Sequence, residues 1–475
     1  MIVLVVLSLA QFLIALDYSI VYLALPSMAR GLDLAPALTP WVVSAYAVLF
    51  AGFLVLGGRL TDRIGARRMF VLAMLLFGAA SGAGAVAGDG AVLLAARGVQ
   101  GLGAALLQPA VLGLIGTTFP AGPARSRALS VWASVGAGGL AAGVLLGGLL
   151  TAVSWRLTLL VNVPPAVACA VVLLVADGVR GAPDAGEARG PERRIPVLAS
   201  VLGTGSAVTL VLGLTFGTAL GWGSAATLGS LAAALVLGGW FGRHERGSAS
   251  PLVEPGLRRT RSLQAGAIAA ALYMASVGSE FYLVTLLLQT MRGQSPVRAG
   301  FAFLPLAVCV TVGSTITGRL VRRFGLRATL AAGFGVATAG LAWLAVMVHG
   351  RYGTGLLPGL LVSGAGHGVI YTAMFILGSR DVPARQQGTS GALITTAQYL
   401  AGAITLAVLT LILGRADGDT GFAIAFGVTA AAAAAGTLLA AFGPAGGNDA
   451  RGGAGARGGG IQPDVYRHGR APADR

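Results

Sequence analysis

The sequence predicts an all-α polytopic membrane protein made of two related halves, and three observations lead there. Of its 475 residues 55% are hydrophobic and only 11% charged, with a mean hydropathy of +0.80. A water-soluble core does not hide that much apolar surface. Apolar runs of about 18–25 residues recur, each long enough to cross roughly 30 Å of hydrocarbon as a helix, where only helices and closed barrels satisfy their own backbone polar groups. Third, the charged stretch Gly58-Arg59-Leu60-Thr61-Asp62-Arg63-Ile64-Gly65-Ala66-Arg67-Arg68 sits between two such runs. It is repeated 260 positions later as Gly318-Arg319-Leu320-Val321-Arg322-Arg323-Phe324-Gly325-Leu326-Arg327. Internal repeats of this kind underlie many transporter folds, and the stretch reads as a cytoplasmic hinge.

Spans are expected at approximately 2–25, 40–60, 69–88, 91–117, 129–150, 157–176, 196–217, 224–242, 263–289, 299–318, 328–348, 354–377, 388–412 and 421–442. The net charge of +16 would suggest a nucleic-acid partner in a soluble chain, so the placement of the charges decides. All 33 basic residues are Arg; 26 fall in alternate loops and the tail, six in the opposite loops, and one, Arg97, inside a span. That asymmetry is the positive-inside rule. It predicts a multi-pass protein of the cell membrane with both termini in the cytoplasm, in contact with lipid and not with nucleic acid.

The repeat organises the chain into an N-terminal six-helix half (1–176), a cytoplasmic linker (177–195), an extra central helix pair (196–242), a second linker (243–262), a C-terminal six-helix half (263–442) and a disordered tail (443–475) rich in Gly, Arg, Pro and Asp. Cys169 and Cys309 lie in apolar spans without metal-ligand spacing and read as buried thiols. Met1 opens directly on an apolar run that Asp17 interrupts before any cleavage site, which argues against a cleaved signal peptide. A short basic leader is expected ahead of such a span, so the true start is expected upstream.

The first hinge resembles the loop signature of the major facilitator superfamily, G-x-L-a-D-r-x-G-r-k, matched by Gly58, Leu60, Asp62, Arg63, Gly65 and Arg67, with Ala66 replacing one basic residue. Asp17-Tyr18-Ser19-Ile20-Val21-Tyr22-Leu23-Ala24-Leu25-Pro26 is similar to the D-x-T-x-V-N-V-A-L-P signature of that superfamily's fourteen-span drug:proton antiporters. Trp155-Arg156 with Asn162-Val163-Pro164, and Ser295-Pro296 through Gly300 and Pro305, resemble further signatures of the same family. The resemblance implies a major-facilitator fold working by alternating access about a midplane cavity.

A carboxylate at a span end, with arginines close by and a glycine for the turn, makes a cluster able to pair in one conformation and separate in another. Gly58, Arg59, Asp62, Arg63, Gly65 and Arg67 are therefore the expected gating hinge, the alternative being that the arginines only anchor topology. The second copy holds Arg322 at the Asp position and has lost the carboxylate half of the clasp, so the first hinge is expected to dominate.

Arg97, in a stretch resembling the fourth-span signature R-x-x-q-G-x-g-a-a, is the most expensive residue in the chain, since a mid-membrane cation costs roughly 3 kcal/mol on insertion scales. The resemblance implies a part in proton transfer, with an anchoring role as the alternative. An arginine does not itself release a proton near neutrality, so carboxylates are needed. Asp17 and Glu280 are the two well inside spans. Asp17, Arg97 and Glu280 are the expected proton-coupling set, with a fixed ion pair open for Asp17 and a counter-charge for a cationic substrate open for Glu280. Antiporters of the superfamily carry G-x-x-x-G-P-x-x-G-G in the fifth span; here Gly139, Gly143, Gly147 and Gly148 are present and Val144 stands for the proline. Tyr18, Tyr22, Gln108, Phe281, Gln289, His367, Tyr371, Phe375 and Gln398 are candidate cavity residues, His367 being a proton relay or a packed, hydrogen-bonded side chain.

No Walker sequence is possible without lysine, and neither H-E-x-x-H nor a nucleophile elbow at an aqueous face occurs, so the chain is not expected to be an enzyme or to need a cofactor beyond a proton gradient. The leading expectation is export of an amphipathic or cationic drug-like compound in exchange for protons. Proton symport of a small metabolite is the alternative, and a non-transporting sensor or scaffold a remote one. Composition leaves the oligomeric state open.

Overall fold

The computed structural model describes residues 2–34, 38–39, 41–175, 197–248, 251–415 and 418–442. The linker expected at 177–195 and the tail expected at 443–475 lie outside the described residues. All regular structure among those described is helical. The N-terminal half is α1 (Ile2–Gly31), α2 (Trp41–Ile64), α3 (Ala66–Ala85), α4 (Gly90–Thr118), α5 (Pro123–Val153) and a sixth span made of α6 (Trp155–Leu160) and α7 (Val163–Val175). Next come the pair α8 (Val197–Leu220) and α9 (Ala225–Gly247) and the short α10 (Pro255–Arg258). The C-terminal half is α11 (Arg261–Tyr273) and α12 (Ser279–Leu286) in one span, α13 (Pro296–Ala302) leading into α14 (Leu304–Phe324), then α15 (Leu326–Val346), α16 (Leu357–Ser379), α17 (Gln387–Arg415) and α18 (Gly418–Phe442). Thirteen described stretches are long and apolar enough to cross a membrane. The 31-residue α5, which packs along α1 and α14, stands in the fifth predicted position.

The internal repeat is visible in three dimensions. Gly65 (φ 97°) and Gly325 (φ 81°) occupy matching positions at the turns α2–α3 and α14–α15, in the left-handed region that only glycine enters without strain. Two residues on in each half, an arginine closes the same gap. Arg67 donates to the carbonyls of Leu173 and Leu174 at the end of α7 (2.9 and 3.0 Å), and Arg327 to those of Ala440 and Ala441 at the end of α18 (2.8 and 2.7 Å). Helix C-termini leave carbonyls unsatisfied and carry partial negative charge, so both arginines tie the last span of a half to its hinge.

The glycine stripe of α5 lets α1 approach at backbone distance. A Cβ at Gly139 would lie 2.6 Å from the Phe12 carbonyl oxygen, and one at Gly143 2.0 Å from Ser19 Oγ. Small residues at i, i+4 permit such contact between spans, and here they fix the helix that carries Asp17. The pair α8–α9 is joined by Ser206 Oγ donating to the Ala234 carbonyl at 3.0 Å. Through Val208 and Val211, α8 packs on Val48 and Ala51 of α2 and on Tyr399, Leu400 and Ala403 of α17.

Candidate functional site

Five polar side chains meet inside the N-terminal half. Asp17 of α1 is fully buried and Arg97 of α4 is 2% exposed; Arg97 Nη1 lies 2.8 Å from Asp17 Oδ2. Polar neighbours surround this ion pair. Gln100 Nε2 and Asn162 Nδ2 donate to Asp17 Oδ1 at 2.8 and 2.9 Å, and both amides also lie 3.2 Å from Ser81 Oγ, which donates to the Leu159 carbonyl. Arg97 donates further to Gln100 Oε1 (2.6 Å) and the Val42 carbonyl (3.1 Å), and its guanidinium stacks 4.7 Å from the Tyr46 ring centroid. A buried ion pair persists when its geometry is good and additional hydrogen bonds support it, and here Gln100, Asn162 and the Val42 carbonyl supply them.

Glu280 stands apart from that network, in the other half. Its span is widened by a π-turn, Met274–Gly278, immediately before α12, a local geometry that re-aims the following side chains. The carboxyl is fully buried; Ser363 Oγ of α16 donates to Oε1 at 2.6 Å, and Oε2 has no partner among the described residues. No hydrogen bond or ion pair joins Glu280 to Asp17 or Arg97, so the expected three-residue core is two separate sites. Nearby, His367 Nε2 bonds the Tyr273 hydroxyl while Nδ1 is buried without a partner, and the ring meets Phe281 edge-on at 5.9 Å. Phe281 stacks on Phe303 at 5.3 Å.

Aromatic groups from both halves meet between these sites. Trp132 of α5 stacks on Tyr371 (5.8 Å) and takes Phe375 edge-on (5.1 Å), Tyr371 contacts Tyr273, and Gln11 Nε2 of α1 reaches the Tyr371 hydroxyl at 3.5 Å. Gln11 Oε1 and Trp132 Nε1 are buried here, and Gln108 Oε1 is buried on α4, all three without hydrogen-bond partners among the described residues. Unpaired polar atoms among aromatic walls are the lining that an amphipathic ligand needs.

The hinge end is closed by a contact between halves. Asp62 Oδ2 accepts from the backbone N–H of Thr389 (3.1 Å) and from its hydroxyl, at the first turn of α17. A carboxylate against the free N–H groups and positive pole of a helix start is a capping interaction, supplied here from the opposite half. In this conformation Asp62 is held by Thr389 and makes no hydrogen bond to the hinge arginines. Arg59 instead pairs with Glu254 of the second linker at 3.4 Å and with the Pro251 carbonyl, Glu254 holds Gln386 Nε2 at 2.6 Å just before α17, and Arg63 is exposed. Gly58 packs so closely on α17 that a Cβ there would lie 2.9 Å from Thr389 Cα.

The Major Facilitator Superfamily model matches residues 7–198 and 191–407. The chain belongs to the major facilitator superfamily. It is similar to the puromycin resistance protein of Streptomyces alboniger (34% identical over 414 residues, 86% of this chain and 81% of that one) and to the cephamycin export protein of Amycolatopsis lactamdurans (36% over 412 residues, 85% and 83%). The tetracenomycin C resistance and export protein of Streptomyces glaucescens is 33% identical over 86% of this chain and 74% of its own. Among solved structures, the proton:xylose symporter XylE superposes with a TM-score of 0.68 at 14% identity, covering 93% of this chain and 95% of its own, which speaks for the fold alone.

For this facilitator, the structure brings Asp17 and Arg97 together and assembles the aromatic centre from His367, Tyr371, Phe281 and Phe375. Gln108 and Gln398 are buried on α4 and α17, Tyr18 is half-buried, and Gln289 is half-buried in the π-turn Leu287–Met291. The side chains of Tyr22 and Val144 lie outside the described residues. Sequence reasoning missed Ser81, Tyr46, Gln11, Trp132, Tyr273, Glu254 and Thr389. Asn162 and Gln100 carried a usable signal, an amide within an apolar run. A lone Ser81 or Thr389 carries none, because hydroxyls are common in spans and satisfy themselves on the preceding turn.

Proposed function

We propose that the protein is a secondary transporter of the cell membrane, with both termini in the cytoplasm, that exports an amphipathic or cationic organic compound in exchange for protons by alternating access. The observation that carries the proposal is the sealed Asp17–Arg97 pair. Protonation of Asp17 removes one charge of a buried pair and leaves Arg97 with only neutral acceptors. That changes the packing preference of α1 against α4 and couples proton binding to the arrangement of the half. The names of the relatives, resistance and export proteins for puromycin, cephamycin and tetracenomycin C, support an organic cargo. The aromatic centre with its Gln11, Trp132 and His367 atoms that lack partners among the described residues supports a cargo that is part apolar and part hydrogen-bonding. Glu280 Oε2, buried and unpartnered, supports a positive charge on it, because a cation reaching Glu280 supplies the partner that the protein lacks.

The test is proton release from purified protein on addition of a transported compound. Wild type is expected to release protons, Asp17→Asn to release none, and Glu280→Gln to lose release with cationic compounds. Release at wild-type stoichiometry in both variants sinks the proposal. The proposed orientation is checked separately: cysteines introduced at positions 63, 126 and 323 label only from the cytoplasm, and those at 33, 220 and 351 from outside. Val144 at the usual proline position favours a second reading, symport, which predicts proton and substrate moving in the same direction in inverted vesicles.

A further inference from the structure

The seam between α5 and α14 at the hinge end is the counterpart of the Asp62–α17 seam, and it lacks an anion. Arg322 stands where the first hinge has Asp62, and it faces the beginning of α5, whose N-terminus follows Gly122 and has no side-chain cap. Arg127 of α5 joins Arg319 and Arg322 of α14 around a cavity of about 150 Å³ completed by Ser130, Val131, Thr315 and Gly318. None of the three guanidinium groups has a hydrogen bond or ion pair among the described residues. Four other hinge-end arginines differ, whereas Arg63 and Arg323 are exposed without a hydrogen bond among the described residues: Arg59 has Glu254, Arg125 donates to the Gly116 and Phe119 carbonyls, and Arg67 and Arg327 cap helix ends. All three side chains are exposed, so water and salt screen their mutual repulsion, and an anion between them would gain from all three at once.

We propose that this cleft binds a phosphate-bearing anion, which bridges Arg127 of one half to Arg319 and Arg322 of the other and closes the second seam as Asp62 closes the first. Guanidinium forks match phosphate oxygens in bidentate geometry, and a site with contributions from both halves exists only while the hinge end is shut. The headgroup of an anionic phospholipid is the favoured source. Val308, Val312, Thr315 and Arg319 fall at helical spacing along one exposed face of α14 (Val308 61%, Val312 53% exposed), so an apolar track for an acyl chain leads from the cleft into the membrane. The bound anion holds the hinge end closed, so the lipid acts as a regulator of alternating access and not as cargo.

The full-length protein is reconstituted in phosphatidylcholine with and without phosphatidylglycerol, and lipids that survive release from the bilayer are counted by native mass spectrometry. Wild type is expected to retain phosphatidylglycerol over phosphatidylcholine by about tenfold. The triple variant R127Q/R319Q/R322Q and the single variant Arg322→Asp lose that preference, Arg322→Lys keeps part of it, and R298Q, at the other end of the bundle, keeps all of it. Seam closure is read independently by cross-linking Ser134→Cys with Thr311→Cys, positions already in contact through Ser134 Oγ and the Thr311 carbonyl at 3.5 Å. The yield rises with phosphatidylglycerol in wild type and not in the triple variant. A rise with inorganic phosphate in phosphatidylcholine alone identifies free phosphate as the occupant of the same site. Equal phosphatidylglycerol retention by wild type and the triple variant, or no preference in wild type, overturns the proposal.

Discussion

At the first hinge Asp62 reaches across to the start of α17, whereas at the second, 260 positions on, Arg322 stands beside the start of α5 with no partner among the described residues. The turns are otherwise alike, down to the positive-φ glycine and the arginine that ties each hinge to the last span of its half. The same asymmetry recurs inside the membrane. The N-terminal half holds its carboxylate in a complete ion pair, and the C-terminal half holds Glu280 with one hydroxyl donor and a bare oxygen. The duplicated scaffold kept the backbone devices in both copies. The two copies differ in their carboxylates: Asp17 has a cation beside it, and Glu280 has no ion pair among the described residues.

The sharpest way to break the comparison is to make the complete site incomplete. Arg97→Gln leaves Asp17 buried without its cation, and breaking a buried pair from one side costs about 3–5 kcal/mol. Transport and much of the thermal stability are expected to go, and the double variant Asp17→Asn/Arg97→Gln should recover melting temperature but not transport. An unchanged melting temperature for Arg97→Gln would mean the pair is not structural at all.

Glu280→Gln tests the incomplete site. Because Ser363 is its one hydrogen-bond partner among the described residues, the near-isosteric amide should fold as wild type does, and the effect should fall on cargo: export of cationic compounds drops by about tenfold or more, while neutral analogues are exported nearly as before. Equal losses for charged and neutral compounds would show that Glu280 does not read charge.

At the hinges the expected effects are smaller. Asp62→Asn removes the charge that caps α17 across the seam, worth about 1 kcal/mol or roughly fivefold in the closed–open equilibrium. Cysteine at Ser130, in the parallel seam, should become correspondingly more reactive from the hinge end while expression holds. Arg322→Asp, measured the same way in pure phosphatidylcholine, should make Ser130→Cys less reactive by a few-fold, since a carboxylate there faces Arg127 and the start of α5. If both variants shift reactivity in the same direction, the two seams are not counterparts.

The fold was legible because lipid allows so few solutions. Span length, the arginine asymmetry and the repeated hinge each constrain the backbone directly, and two of the positive-φ glycines, Gly65 and Gly325, fell at matching places in the two hinge motifs. Cost made two of the site residues legible as well. An arginine and an aspartate in hydrocarbon must find each other or water, and Asp17 and Arg97 did. What the one-dimensional pattern could not give was pairing across distance. Glu280 is as expensive as Asp17 and equally visible in the sequence, yet its place in the opposite half, beside Ser363 and not Arg97, follows from which helices pack together. Asp62 likewise looked destined for the arginines beside it in sequence. Its carboxylate instead meets the first turn of α17 through Thr389, while Arg59 is taken up by Glu254. Sequence determined which groups needed partners; the packing of one half on the other decided which of them have one inside the protein.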